Sequence, residues 1–121
     1  MPRSRTPDLI RGTLDMMILK TLSLGPNHGY GVARRIRATS DDVLVVEEGS
    51  LYPALHRLQE RGYVESEWRQ SEQNRRARWY RLTPRGEAQL KEDAQQWSTM
   101  AQAIGKVMDV SSSQALRSDL A

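Results

Sequence analysis

Apolar side chains recur at helical spacing in the N-terminal part of this chain. The spacing predicts a first helix that ends at Gly25-Pro26, because this dipeptide interrupts helices. A second, shorter helix is predicted over about 28–39. The inner faces of these two helices are predicted to be formed by Leu14, Met17, Ile18, Leu22, Val32, Ala33 and Ile36.

The β-branched run at 43–46 predicts one small strand before a third helix. Ser50 is predicted to be the N-cap of that helix, because its hydroxyl can accept a backbone N–H bond. Pro53 then falls in the first turn, where its missing N–H costs nothing. Gly62 is predicted to end the helix. The buried face is predicted to consist of Leu51, Ala54, Leu55 and Leu58.

Two aromatic-rich segments, 63–69 and 77–82, predict a β-hairpin whose tip is the polar sequence SEQNRR. Thr83 is predicted to cap a last helix that begins at Pro84 and runs to about Val110. The order helix, helix, strand, helix, hairpin, helix predicts a mainly α (α+β) fold. Specifically, it is typical of a winged helix-turn-helix with a two-stranded hairpin wing and a long C-terminal helix.

The last predicted helix carries a narrow apolar stripe whose spacing alternates between four and three residues. This pattern is typical of a coiled-coil seam, whereas a helix that packs only on its own domain has a wider stripe. We therefore predict pairing with a second copy of the chain; packing against the first helix of the same chain is the alternative. The predicted seam residues are Leu90, Ala94, Trp97, Ala101, Ile104 and Met108.

These patterns divide the chain into four parts. A flexible basic arm is predicted over 1–7, and a winged helix-turn-helix DNA-binding domain over 8–83. A dimerisation helix is predicted over 84–110, followed by a flexible tail over 111–121.

Composition excludes several classes of function. The 121 residues include no cysteine, which rules out disulfides, thiolate zinc sites and cysteine nucleophiles. The two histidines, His28 and His56, fall on different predicted elements, so no metal site is expected. Neither a phosphate-binding glycine loop nor a nucleophile elbow is present, so we expect neither an enzyme nor a cofactor. No apolar run approaches membrane-spanning length and the N-terminus lacks a signal-peptide pattern, so the expected location is cytoplasmic.

Positive charge is concentrated in the predicted hairpin. Six arginines lie between Arg69 and Arg85, where Glu72 is the only acidic residue. Guanidinium groups suit bidentate contacts with phosphate, so this cluster favours nucleic acid as the partner. A solvated strand surface is the alternative explanation. The polar face of the third helix supports DNA contact, with an ordinary solvated helix face as its alternative; its residues are Ser50, Tyr52, Pro53, His56 and Arg57.

Three stretches of the sequence, GTLDMMILKTLSLGPNHGYGVARRI (12–36), VEEGSLYPALHRLQERGYVESEW (46–68) and SEQNRRARWYRLTPRGEAQL (71–90), resemble the PadR family of bacterial transcriptional regulators. The resemblance implies a recognition helix that reads DNA and a wing that lies along the backbone or enters a minor groove. Tyr30 would either pack in the core or contact phosphate. The residues then expected to contact DNA are Tyr30, Ser50, Tyr52, Pro53, His56, Arg57, Asn74, Arg75, Arg76 and Arg78.

The resemblance also implies a homodimeric repressor that binds an inverted-repeat operator and is released by an aromatic or xenobiotic small molecule. Trp97, between Ala94 and Ala101 on the seam, is the candidate effector-binding residue; the alternative is that its indole simply fills the dimer interface. Glu47 and Glu48 would repel phosphate, unless they stabilise the N-terminus of the third helix or pair with an arginine. A winged-helix module that binds protein and not DNA is the alternative function, and the wing arginines argue against it.

Overall fold

A computed structural model describes the backbone of residues 8–70, 73 and 75–111, and the side chains of the same residues from Gly12 onward. The predicted arm, Asn74 and residues 112–121 lie outside the described part. The elements in chain order are α1 (Asp8–Ser23), β1 (Asn27–His28), α2 (Gly29–Thr39), α3 (Glu48–Glu60), β2 (Val64–Gln70), β3 (Arg76–Leu82) and α4 (Pro84–Met108).

The core lies where α1, α2 and α3 pack together against the inner end of the sheet. The predicted inner faces are confirmed, except that Met17 and Ala33 are only partly buried. Leu19, which the sequence pattern did not single out, is fully buried because α1 is covered on more than one side. The fully buried side chains are Ile18, Leu19, Val32, Leu51, Leu55, Leu58 and Val64.

The sheet is antiparallel and has the strand order β1-β3-β2. The predicted strand at 43–46 is wrong: this segment has no strand structure, and Val43 and Val45 are exposed. The third strand is formed instead by Asn27–His28, which pairs with Tyr80 and Trp79. A strand needs a partner edge, and the turn at Gly25-Pro26 brings 27–28 directly to the free edge of β3.

Helix α3 begins three residues earlier than predicted. Its N-cap is Glu47, which makes no side-chain capping bond, and the N–H groups of Ser50 and Leu51 both donate to the Glu47 carbonyl. Ser50 therefore lies in the first turn, not at the N-cap, and Pro53 lies inside the helix. The predicted end is confirmed, because Gly62 follows with φ of +79°, a conformation that favours glycine.

The start of α4 is fixed by a confirmed cap. The Thr83 hydroxyl accepts a hydrogen bond from the Gly86 N–H at 3.0 Å and donates one to the Gly62 carbonyl at 2.6 Å. The same side chain therefore joins the beginning of α4 to the end of α3. Leu90 packs against the core, whereas Trp97, Ile104 and Met108 are exposed farther along α4.

Candidate nucleic-acid interface

The outer face of α3 presents polar and aromatic side chains to solvent. Tyr52, Pro53 and His56 are exposed, and Ser50 is half-buried in the first turn. The Nε2 atom of His56 lies 3.6 Å from a carboxylate oxygen of Glu60, one helical turn away. Burial of the opposite face against α1 fixes which side of the helix is free, so this face is available to a partner.

Arg57 does not join that exposed face. Its Nη2 donates to Oδ1 of Asp15 on α1 at 2.9 Å, and both side chains are mostly covered. Burial raises the pKa of the Asp15 carboxyl above its ordinary value, and this effect outweighs the opposing hydrogen bond and charge of Arg57. The guanidinium predicted to contact DNA thus holds α3 against α1 and lies away from the exposed face of α3.

The N-terminal part of α2 adds a second exposed aromatic residue. Tyr30 is 62% exposed, so its predicted alternative as a core residue is wrong. The guanidinium carbon of Arg34 lies 5.6 Å from the Tyr30 ring centroid. Both residues line a cleft of about 400 Å³ together with Arg37 and Tyr52. Sequence reasoning did not select Arg34, although its position one helical turn after Tyr30 was a usable signal.

The acidic pair at the beginning of α3 borders the same cleft. Glu48 lies in the first turn of the helix, where a negative charge interacts favourably with the helix dipole. Neither Glu47 nor Glu48 has a salt bridge to an arginine among the described residues. Of the two expectations for these carboxylates, the placement therefore favours helix stabilisation.

One face of the wing, formed by β2 and β3, is internally neutralised. Arg81 pairs with Glu65 at 2.5 Å, and Arg69 pairs with Glu67 at 3.2 Å. Arg69 also lies over the Trp79 ring, with its guanidinium carbon 4.8 Å from the centroid. The two glutamates precede the arginine-rich window, so the window by itself overstated the number of free positive charges.

The other face of the wing carries Trp68, which is 53% exposed. Residues directly opposite on antiparallel strands share a face, and the register pairs Trp68 with Arg78 and Gln70 with Arg76. The guanidinium carbons of Arg76 and Arg78 lie 5.0 and 5.2 Å from the Trp68 centroid. Neither arginine pairs with a carboxylate among the described residues. Arg75 is exposed immediately before β3.

This wing face connects directly to α3. Nε of Arg78 donates to the Ser66 hydroxyl at 2.9 Å, and that hydroxyl donates to Oε1 of Gln59 at 2.9 Å. Tyr80 closes the inner end of the face, where burial raises the pKa of its phenol. The exposed side of α3 and the cationic face of the wing therefore border one continuous surface. Sequence reasoning missed Trp68, whose signal was an aromatic residue opposite an arginine in the hairpin register.

The predicted seam projects from the domain along α4. Within the single chain Trp97 is 51% exposed and Ile104 is 48% exposed, so their apolar surfaces lack a full covering. Trp97 lines a cavity of about 360 Å³ between α1 and α4, together with Met16, Asp93 and Met100. Leu90 alone among the seam residues packs against the domain core.

The described residues contain no group of three His, Cys, Asp or Glu side chains arranged to hold a metal ion. None of the helices in this part of the chain has the length and apolar character needed to cross a membrane.

Three packed helices, an exposed third helix and an arginine-bearing hairpin define a winged helix-turn-helix protein of the transcription-regulator class. The family model described as Transcriptional regulator PadR-like family matches residues 18–92, and the chain belongs to this family. Family membership identifies it as a transcriptional regulator and not an enzyme.

Solved structures agree with the fold along most of the chain. A transcriptional regulator from Clostridium thermocellum is 34% identical, with a TM-score of 0.75, and the match covers 83% of this chain and 97% of that one. A PadR family regulator from Eggerthella lenta is 31% identical, with a TM-score of 0.71 and coverage of 86% and 88%. A PadR-like regulator from Bacillus cereus is 25% identical, with a TM-score of 0.73 and coverage of 87% and 100%.

Proposed function

We propose that this regulator is a homodimeric, sequence-specific DNA-binding repressor. The observation that carries the proposal is the continuous surface formed by α3 and one wing face, on which Arg76 and Arg78 have no carboxylate partner among the described residues. Guanidinium groups without a carboxylate partner match phosphate, and an exposed helix of this size fits a major groove. In this arrangement Tyr52 and His56 contact base edges, while the wing arginines and Tyr30 contact the backbone.

The second copy binds through α4, and residues 84–110 form the dimerisation segment outside the DNA-binding domain of 8–83. Half-exposed Trp97 and Ile104 on a heptad-spaced stripe support this assignment, because an isolated helix needs such a stripe to be covered. A two-fold dimer presents two α3 helices and therefore binds an inverted repeat with half-sites about one helical turn apart.

The effector in this proposal is a planar aromatic molecule that binds beside Trp97 and releases the dimer from DNA. The cavity between α1 and α4 supports this assignment, since it is lined by the Trp97 indole and two methionines, Met16 and Met100. Thioether and indole groups adapt to flat aromatic ligands. Cavity residue Asp15 also contacts Arg57 of α3, which gives ligand binding a physical route to the DNA-contacting helix.

Titration of fluorescein-labelled duplexes at several salt concentrations tests the DNA-binding role. The duplexes are the DNA upstream of the protein's own gene and a shuffled sequence of equal length. Tighter binding to the upstream duplex, with affinity falling steeply as salt rises, supports the proposal, because each phosphate contact contributes about 0.9 to the logarithmic salt slope. Absence of salt-dependent binding to either duplex would instead favour the protein-interaction module.

A further inference from the structure

The wing face that carries Trp68 contains an arrangement that the proposed DNA-binding role does not by itself require. Two arginines, Arg76 and Arg78, lie within 5.2 Å of one indole centroid. Their like charges repel each other on this small area, and the negative face of the indole offsets part of that repulsion. An exposed arginine otherwise samples many rotamers and loses that freedom when it binds an anion.

We propose that Trp68 is a positioning residue that holds Arg76 and Arg78 in place for a phosphate of the DNA backbone. The inference rests on the proposed DNA-binding function and adds a residue to it. Stacking on a rigid ring limits the guanidinium orientations before DNA arrives, so less conformational entropy is lost on binding. A phosphate between the two arginines also relieves their mutual repulsion, which makes this pair a better anion site than either arginine alone.

Two consecutive hydrogen bonds orient the Arg78 guanidinium within this site. Arg78 donates to Ser66, and Ser66 donates to Gln59 on α3. These two hydrogen bonds fix the position of the Arg78 guanidinium relative to α3, the helix proposed to contact DNA. In the proposed complex the DNA backbone passes between α3 and the wing, because these two elements border one surface. Trp68 and Ser66 thus fix the Arg78 guanidinium from two directions.

The opposite wing face provides a matched comparison within the same hairpin. Trp79 also stacks with an arginine, Arg69, but that guanidinium is neutralised by Glu67. Stacking without a free charge offers no anion site. Loss of the Trp79 stack therefore leaves DNA affinity unchanged if the inference is right.

Fluorescence anisotropy with the upstream duplex measures the affinity of Trp68→Leu, Trp68→Phe and Trp79→Leu, each checked for native circular dichroism. We expect Trp68→Leu to bind about five- to tenfold more weakly, because two cation–π contacts are lost. Trp68→Phe keeps an aromatic face and restores most of the affinity. Trp79→Leu stays within about twofold of the wild type, because the arginine that Trp79 stacks with is already neutralised by Glu67.

The decisive comparison repeats Trp68→Leu in an Arg76→Gln, Arg78→Gln background. A positioning role predicts no further loss there, since the side chains that Trp68 holds no longer carry charge. If Trp68→Leu weakens DNA binding as much in that background as in the wild type, the indole contacts DNA itself and the inference is overturned. Wild-type affinity in the single Trp68→Leu variant also overturns it. So does a failure of Trp68→Phe to recover binding. If the wild-type protein binds no duplex at low salt, the proposed function has failed and the inference falls with it.

Discussion

Asp15 on α1 accepts a hydrogen bond from Arg57 on α3 at 2.9 Å, across a sequence separation of 42 residues. Both side chains are partly screened from solvent, and Asp15 also lines the cavity that contains Trp97. The pair therefore joins α3, the helix proposed to contact DNA, to the wall of the proposed effector cavity. Such a contact is costly to break on one side only, because the remaining charge is left partly buried.

The Asp15 carboxyl gives a specific pH dependence. Burial raises its pKa above the ordinary value of 3.8, against the opposing effects of Arg57 and Arg61. The native state therefore retains this proton to a higher pH than the unfolded state does. The stability that Asp15 contributes is fully present below 3.8 and is lost as the pH rises through the raised native value.

We accordingly expect Asp15→Asn to remove this carboxyl's contribution to the pH dependence of the unfolding free energy, which is a decrease as the pH rises above 3.8. Urea denaturation at a series of pH values measures the free energy of unfolding of both proteins. Asp109→Asn, which removes an exposed carboxyl, serves as the control for the loss of one charge. If the unfolding free energies of the wild type and Asp15→Asn change in parallel with pH, the pKa of this carboxyl is not raised by burial.

Replacement by alanine is expected to have opposite effects on stability at two glycines of α4. A Cβ at Gly86 would fall on the carbonyl oxygen of Tyr63, whereas one at Gly105 would meet nothing within 4 Å. We expect Gly86→Ala to lower the melting temperature or prevent folding, because backbone must move. Gly105→Ala should stabilise α4 by about 0.5–1 kcal/mol through helix propensity. Thermal denaturation of both proteins checks the pair, and equal melting temperatures would contradict the packing described at Gly86.

His56 is expected to discriminate between DNA sequences. It is exposed on the outer face of α3, where a side chain can reach a base edge. His56→Ala should weaken binding to the upstream duplex by about 1–3 kcal/mol and leave binding to a shuffled duplex nearly unchanged. Competitive anisotropy titrations measure the ratio of the affinities for the upstream and the shuffled duplex. Equal losses on both duplexes would assign His56 to backbone positioning.

Ile104 tests the assembly. A carboxylate at this seam position would be placed in an apolar contact between copies, at a cost of several kcal/mol. Ile104→Asp should therefore sediment as a monomer and lose tight binding to an inverted repeat. Gln102→Asp adds the same charge to an exposed position of the same helix and should remain dimeric. A dimeric Ile104→Asp protein with normal DNA affinity would mean that α4 packs only within its own chain.

Trp97 tests the effector cavity. In a Trp68→Phe, Trp79→Phe protein the remaining indole should be quenched by planar aromatic compounds, since it lines the cavity between α1 and α4. Trp97→Ala should keep DNA binding but lose release by the same compounds. Release that persists without this indole would place the effector elsewhere and leave Trp97 as an interface residue.

Local sequence patterns determined most of the framework. Helical spacing located the buried faces of α1, α2 and α3, and Thr83 and Gly62 marked helix ends, because capping and φ preferences act within a few residues. The seam spacing of α4 and the arginine-rich wing were also visible, although the sequence left their partners open.

Tertiary structure decided the features that depend on competition between distant segments. The run at 43–46 has the composition of a strand, but 27–28 reaches the free edge of β3 and the run stays unpaired. Arg57 has the position of a DNA contact, but Asp15 comes within hydrogen-bonding distance only when α1 and α3 pack. On the wing, the register brings Glu65 opposite Arg81 on one face and Trp68 opposite Arg78 on the other. The alternation of side chains along β2 places Glu67 beside Arg69 on the first of these faces. A sequence pattern records which charges exist, whereas only the packed chain determines which of them neutralise one another.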